Sequence, residues 1–134
     1  MKYIQTIENL YLKANERYEK SENKYPIAGS KEGFARINGR IHYGWGHTSE
    51  LKEKYSVTIY MVEGKKRVML SHWGTTTLVI DAEENEILDF YGESNSDRDS
   101  MNTMLELLYV PGKFRYFPTT EDFVYEHGDI VVTA

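Results

Sequence analysis

The chain has 134 residues, 40% hydrophobic and 28% charged, with sixteen Lys and Arg against twenty-one Asp and Glu for a formal charge of −5. That length suits one domain over residues 1–134, and the composition excludes a disordered chain and offers no uncharged run long enough to span a membrane. The absence of cysteine excludes disulfides, thiolate metal sites and cysteine nucleophiles, and with no apolar segment near the start to act as a secretory signal a cytoplasmic location is expected.

Residues 3–20 predict an amphipathic helix. Ile4, Ile7, Tyr11, Ala14 and Tyr18 recur at three- and four-residue steps, while Glu8, Lys13, Glu16, Arg17, Glu19 and Lys20 occupy the other faces. The helix is expected to stop at residues 21–23, ahead of Tyr25-Pro26, because the residue before a proline is driven out of helical geometry. Glycines punctuate the next stretch. Short strands at residues 34–37 and 40–43 predict a hairpin across Asn38-Gly39, followed by an exposed loop at residues 44–48. Four strands are expected next, at residues 55–63, 67–73, 75–81 and 86–91, the last two joined by an acidic turn at residues 82–85. In the first of them Val57, Ile59 and Met61 share a face.

A second helix is expected over residues 97–108, capped by Ser96 with Asp99 three residues on, and with Met101, Met104, Leu105 and Leu108 along one stripe. Pro111-Gly112 ends it. An aromatic strand at residues 114–117, a turn or short helical start at residues 119–122, and a final strand at residues 130–133 complete the chain. The fold class this order predicts is α+β: a mostly antiparallel meander sheet with the two helices, residues 3–20 and 97–108, packed on it.

Three histidines invite a chemical reading. His42 and His47 flank the glycine-rich loop with Glu50 close by, and two imidazoles plus a carboxylate suit zinc, although their spacing matches no strong metal signature. His72 stands in Ser71-His72-Trp73-Gly74-Thr75-Thr76-Thr77, where it suits a general base. The plainer account is that Gly74 opens a tight turn, the threonines favour strand, and His72 only bridges the sheet. No phosphate loop, dinucleotide fingerprint, serine elbow or helical zincin motif occurs, so no catalytic residue and no cofactor is assigned.

Charge is divided along the chain. Residues 1–66 carry a net +4 with no aspartate, and residues 67–134 a net −9. A pI near 5.4 argues against an autonomous nucleic-acid-binding domain, and the basic residues are dispersed. The acids cluster, and eleven tyrosines are numerous for this length. Glu83, Glu84, Glu86, Glu93, Asp97 and Asp99 form the expected partner-contact set, with carboxylates steering encounter and tyrosines supplying affinity.

The pattern His72-Trp73-Gly74-Thr75 followed by Ser94-Asn95-Ser96-Asp97-Arg98-Asp99-Ser100-Met101-Asn102, within residues 68–108, resembles small proteins of unassigned activity encoded by bacteriophages and other mobile elements. The resemblance implies a protein acting inside a host cell and transfers no catalytic residue. With the acidic, tyrosine-rich character it leads to the expected function: binding and inhibition of a host defence protein, in the manner of an anti-CRISPR inhibitor. The expected partner is a host protein with a basic surface, such as a nucleic-acid-handling effector; neither nucleic acid nor membrane is contacted directly. Two alternatives stay open. One is a metal-assisted nuclease or hydrolase using His42, His47 and His72. The other is a self-associating structural or regulatory module, dimerising through the tyrosine-bearing face of residues 1–20 or an exposed sheet edge.

Overall fold

The apolar stripe near the start of the chain forms helix α1 (Lys2–Lys20), as its periodicity predicts, and buries Ile7, Leu10, Ala14 and Tyr18. These coordinates come from a computed structural model that describes residues 2–21, 31–42 and 49–134; the expected loop at 44–48 lies outside them. Ser21 terminates the helix. Its N–H and its hydroxyl both donate to the Tyr18 carbonyl, at 3.2 and 2.8 Å, and the hydroxyl accepts from the Glu32 N–H at 2.9 Å. One side chain thus ends the helix and holds the start of the first strand. Tyr18 is buried and Tyr11, partly buried, packs against the core, so these two tyrosines of α1 face inward.

Five strands follow as an antiparallel meander in chain order: β1 (Glu32–His42), β2 (Ser49–Val62), β3 (Lys65–His72), β4 (Thr75–Asp81) and β5 (Glu86–Phe90). The hairpin expected across Asn38-Gly39 does not form. Residues 34–37 and 40–42 belong to one strand, β1, because β2 is long enough to pair with it from Glu32↔Tyr60 to His42↔Ser49; the last residue of the expected hairpin, Tyr43, lies outside the described residues. Asn38 and Gly39 sit opposite Glu53 and Lys52 as ladder residues. Gly39 serves space rather than a turn: a Cβ there would press on the side chains of Lys54 and Trp73, each at 2.9 Å. The remaining hairpins match expectation. Alternation along β2 and β3 buries Val57, Ile59, Val68 and Leu70 in the same core as the apolar face of α1.

That second helix, α2 (Asn95–Leu107), begins earlier than its expected cap. Ser94, extended at φ −154°, is the N-cap, and its Oγ accepts from the Asp97 N–H at 3.1 Å. Ser96 and Asp99 lie inside the helix. Ser94 with Asp97 three residues on satisfies the same capping rule, shifted by two. Met101, Met104 and Leu105 are buried as expected.

After α2 the chain makes a separate three-stranded antiparallel sheet, β6 (Lys113–Phe117), β7 (Asp122–His127) and β8 (Ile130–Thr133). Strand β7 escaped prediction because its buried pair Phe123-Val124 is bracketed by Asp122, Glu126 and His127, which disguise the run. Asn102 of α2 ties this sheet on. Its amide donates to the Phe114 carbonyl at 3.0 Å and its carbonyl accepts the Phe114 N–H at 2.7 Å, so the side chain stands in for a neighbouring strand. Phe90, Phe114, Phe123 and Tyr125 pack in tilted pairs around this junction, with ring centroids 5.1–6.4 Å apart. No helix among the described residues is long and apolar enough to cross a membrane.

The backbones of α1 and β1 approach closely where the helix crosses the strand at Gly33. A Cβ at Gly33 would overlap the Ala14 carbonyl and the Tyr18 backbone, neither of which can swing aside. Gly33→Ala is expected to lower stability by about 2 kcal/mol or more, read as a reduced urea midpoint with an unchanged slope.

Candidate functional site

The turn between β3 and β4 is Trp73-Gly74, with φ of +50° and +82°, the two positive values that a two-residue hairpin of the I′ type requires. Glycine adopts this freely. A tryptophan there is strained, at a cost of order 1 kcal/mol. The Trp73 N–H donates to the Lys54 carbonyl at 2.7 Å, across a bulge in β2 where Ile37 faces Tyr55 and Asn38 faces Glu53, leaving Lys54 as the extra residue. Bulge and turn together place Lys54, Tyr55, His72 and Trp73 in one layered group. The Tyr55 and His72 rings lie parallel, 6° apart with centroids at 4.3 Å, and Trp73 follows at 5.9 Å. The Lys54 ammonium sits 5.8 Å from the Tyr55 ring centre and 5.9 Å from that of Trp73.

His72 is completed from the far side by α2. Its Nδ1 lies 2.6 Å from Asp97 Oδ1, and both side chains are 8% exposed. The other carboxylate oxygen of Asp97 accepts from the Glu93 N–H at 2.9 Å. Burial by itself raises the Asp97 pKa. Hydrogen bonds from His72, from the Glu93 N–H and from Ser94, with the attraction of the imidazole, outweigh it and hold the carboxyl below the usual range. Against an ionised Asp97, Nδ1 carries the proton, which fixes both tautomer and ring orientation and leaves Nε2 for other chemistry. The pair borders a cleft of about 490 Å³ whose lining also includes Trp73, Thr75, Tyr91, Glu93 and Ser96. Tyr91 donates its hydroxyl to Glu93 at 3.0 Å. An oriented imidazole over a polar cleft is the arrangement of a general base, and the same bond also pins the start of α2 to the sheet.

The expected contact residues do not gather in one place. Glu83, Glu84 and Glu86 are exposed at the β4–β5 turn, where Asp81 accepts from the Glu83 and Glu84 N–H groups at 2.9 and 3.1 Å, and Glu84 lies 3.8 Å from Lys65. Glu93 and Asp99 are exposed at the opposite end of that hairpin, Asp99 bound to Arg98 at 2.8 Å. Four strand residues separate the two ends, about 13 Å. Asp97 belongs to neither exposed group, being 5% exposed and saturated by its partners. The expected tyrosine-rich surface shrinks to Tyr91 and Tyr109 among the described tyrosines; the others are buried or partly so. His47 and the side chain of His42 lie outside the described residues, and no group of three metal-ligating side chains occurs among those described. Asp97 as the partner of His72 was missed because it stands twenty-five residues away along the chain.

A second concavity, of about 700 Å³, runs between the two sheets. Every residue from Asn85 to Phe90 borders one side, and Ile130, Val132 and Thr133 of β8 border the other. Its rim is apolar and exposed at Leu88, Ile130 and Val132, and its lining contains Glu86 and Asp89 but no Lys or Arg.

No protein-family model matches the chain, and no curated protein or solved structure is significantly similar to it.

The lowered pKa of Asp97 sets a sign. Its stabilisation is complete above the unfolded carboxyl value near ~4 and is lost as pH falls through the lower folded value. Asp97→Asn is therefore expected to destabilise by about 2 kcal/mol at pH 7. Urea titrations of both proteins should show that difference shrinking toward pH 2.

Proposed function

We propose that the protein binds and inhibits a host defence protein bearing a basic surface, as a non-enzymatic inhibitor of the anti-CRISPR kind encoded by a phage or other mobile element. The observation that carries this reading is the apolar groove between β5 and β8, flanked by the exposed turn Glu83-Glu84-Asn85-Glu86. Exposed apolar surface rimmed by charge of one sign is the usual make-up of a protein-binding surface. The carboxylates of the turn supply long-range attraction and orientation; the apolar rim supplies the contact. Asp81 holds the turn through two backbone hydrogen bonds, so the carboxylates are presented from a fixed loop. The resemblance to phage-encoded proteins points to a target inside a host cell. Charge reversal of Glu83, Glu84 and Glu86 together is expected to slow association with the partner recovered from host lysate about tenfold or more at low salt, with the difference vanishing in high salt, where charges are screened. Surface plasmon resonance across a salt series checks this; unchanged association at low salt overturns the reading.

The His72–Asp97 pair favours a second reading, hydrolysis in the cleft beside it. Nδ1 is engaged by Asp97, so His72 would act through Nε2 alone, either on a metal or as a base toward water. Elemental analysis of the purified protein, with single-stranded and duplex DNA as substrates, tests it: any turnover should be lost in His72→Gln. No turnover, or full turnover by the variant, removes this second reading.

A further inference from the structure

We infer that the partner adds an extended strand to the free edge of β8, through a segment in which apolar side chains alternate with Lys or Arg. This rests on the partner-binding reading and specifies its mode. The two sheets have four outer strands among the described residues, β1, β5, β6 and β8. Three are protected. Strand β1 carries exposed Arg36 and Arg40, and β5 carries exposed Glu86 and Asp89, charges that discourage edge pairing. Strand β6 has the backbone of Phe114 engaged on both sides of its peptide by Asn102. Strand β8 has no such device. Its sequence is Ile-Val-Val-Thr, without charge, proline or bulge, and it is hydrogen-bonded to β7 alone.

Its side chains are also unpaired with any layer. Ile130, Val131 and Val132 are 59%, 61% and 45% exposed, so both faces of the strand are open. Successive side chains alternate faces, and β-branched residues on both faces are what a strand inside a covered sheet carries. Ile130 and Val132 border the groove, while Val131 points the other way. A strand added beside β8 would gain main-chain hydrogen bonds and place alternate side chains in the groove and on the outer face.

Charge decides between a second copy and a foreign segment. Facing β8 across the groove are Glu86 and Asp89, and Asp129 immediately precedes the strand, with no Lys or Arg lining the space. Pairing of two β8 edges would bring these carboxylates toward their equivalents, which is unfavourable. A segment with alternating cationic residues is attracted instead.

The test uses three capped octapeptides on the full chain: alternating Lys-Val, alternating Glu-Val, and Lys-Val with every second amide N-methylated. Fluorescence anisotropy gives affinity, and amide exchange by NMR reports residues 130–133. The expected result is saturable binding of the Lys-Val peptide with slowed exchange in β8, at least tenfold weaker binding of the N-methylated peptide, and comparable loss in Val131→Lys, whose site is exposed enough to tolerate the change. Equal binding by the N-methylated peptide without protection of β8 overturns strand addition yet leaves charge-driven partner binding intact. Absent binding of Lys-Val, or equal binding of Glu-Val, also overturns it, and concentration-dependent dimerisation protecting β8 assigns the edge to a second copy. Charge reversal at Glu83 and Glu84 alone, which do not line the groove, reports separately on the partner-binding reading.

Discussion

The buried bond between His72 and Asp97 ties the sheet to the second helix. On one side stands the central hairpin of the five-stranded sheet; on the other, the first turn of α2. Both groups are buried, so removal of either leaves a polar atom of the other unsatisfied in a poorly solvated place, a loss of about 2 kcal/mol. From Asp97 the connection continues down α2 to Asn102, whose amide grips Phe114 and so carries the smaller sheet. Two polar contacts of one thirteen-residue helix, Asp97 in its first turn and Asn102 near its middle, orient two sheets that share no strand pairing.

The same contacts account for where functional features fall. Pinning α2 across the β3–β4 turn leaves a cleft between helix and sheet, into which the strained Trp73 turn and the bulge at Lys54 place an aromatic and cationic wall. Anchoring β6 through Asn102 sets β8 on the far side of its sheet, facing β5 across an apolar groove. The cleft is rich in hydroxyls and gathered around one oriented imidazole; the groove is largely apolar, with Glu86 and Asp89 in its lining. These are different chemistries at separate places, suited respectively to a small polar group and to a protein segment.

Edge protection follows a consistent rule with one departure. Charges guard β1 and β5, a side-chain amide covers β6, and β8 is left bare. Leaving apolar β-branched residues exposed on both faces of an edge invites association.

Local chemistry was sufficient for much of the fold. The stripe from Ile7 to Tyr18 specified α1, and alternating β-branched residues between turn signals specified β3, β4, β5 and β8, because helix and strand periodicities depend only on near neighbours. Capping of α2 was recognisable in kind and displaced by two residues, since Ser94 and Ser96 both satisfy the spacing and only the approach of Asp97 to His72 selects one. Where the long β2 was available as a partner, Asn38-Gly39 became ladder rather than turn, and the use of Gly39 to admit Trp73 and Lys54 had no local signature. Strand β7 was hidden because its pairing, not its composition, makes it a strand. The candidate site belongs wholly to tertiary structure. His72 was visible as a reactive residue type and Asp97 as a helix-start acid, but their 2.6 Å contact exists only because α2 packs its first turn over the β3–β4 hairpin, and such packing is decided by the core as a whole.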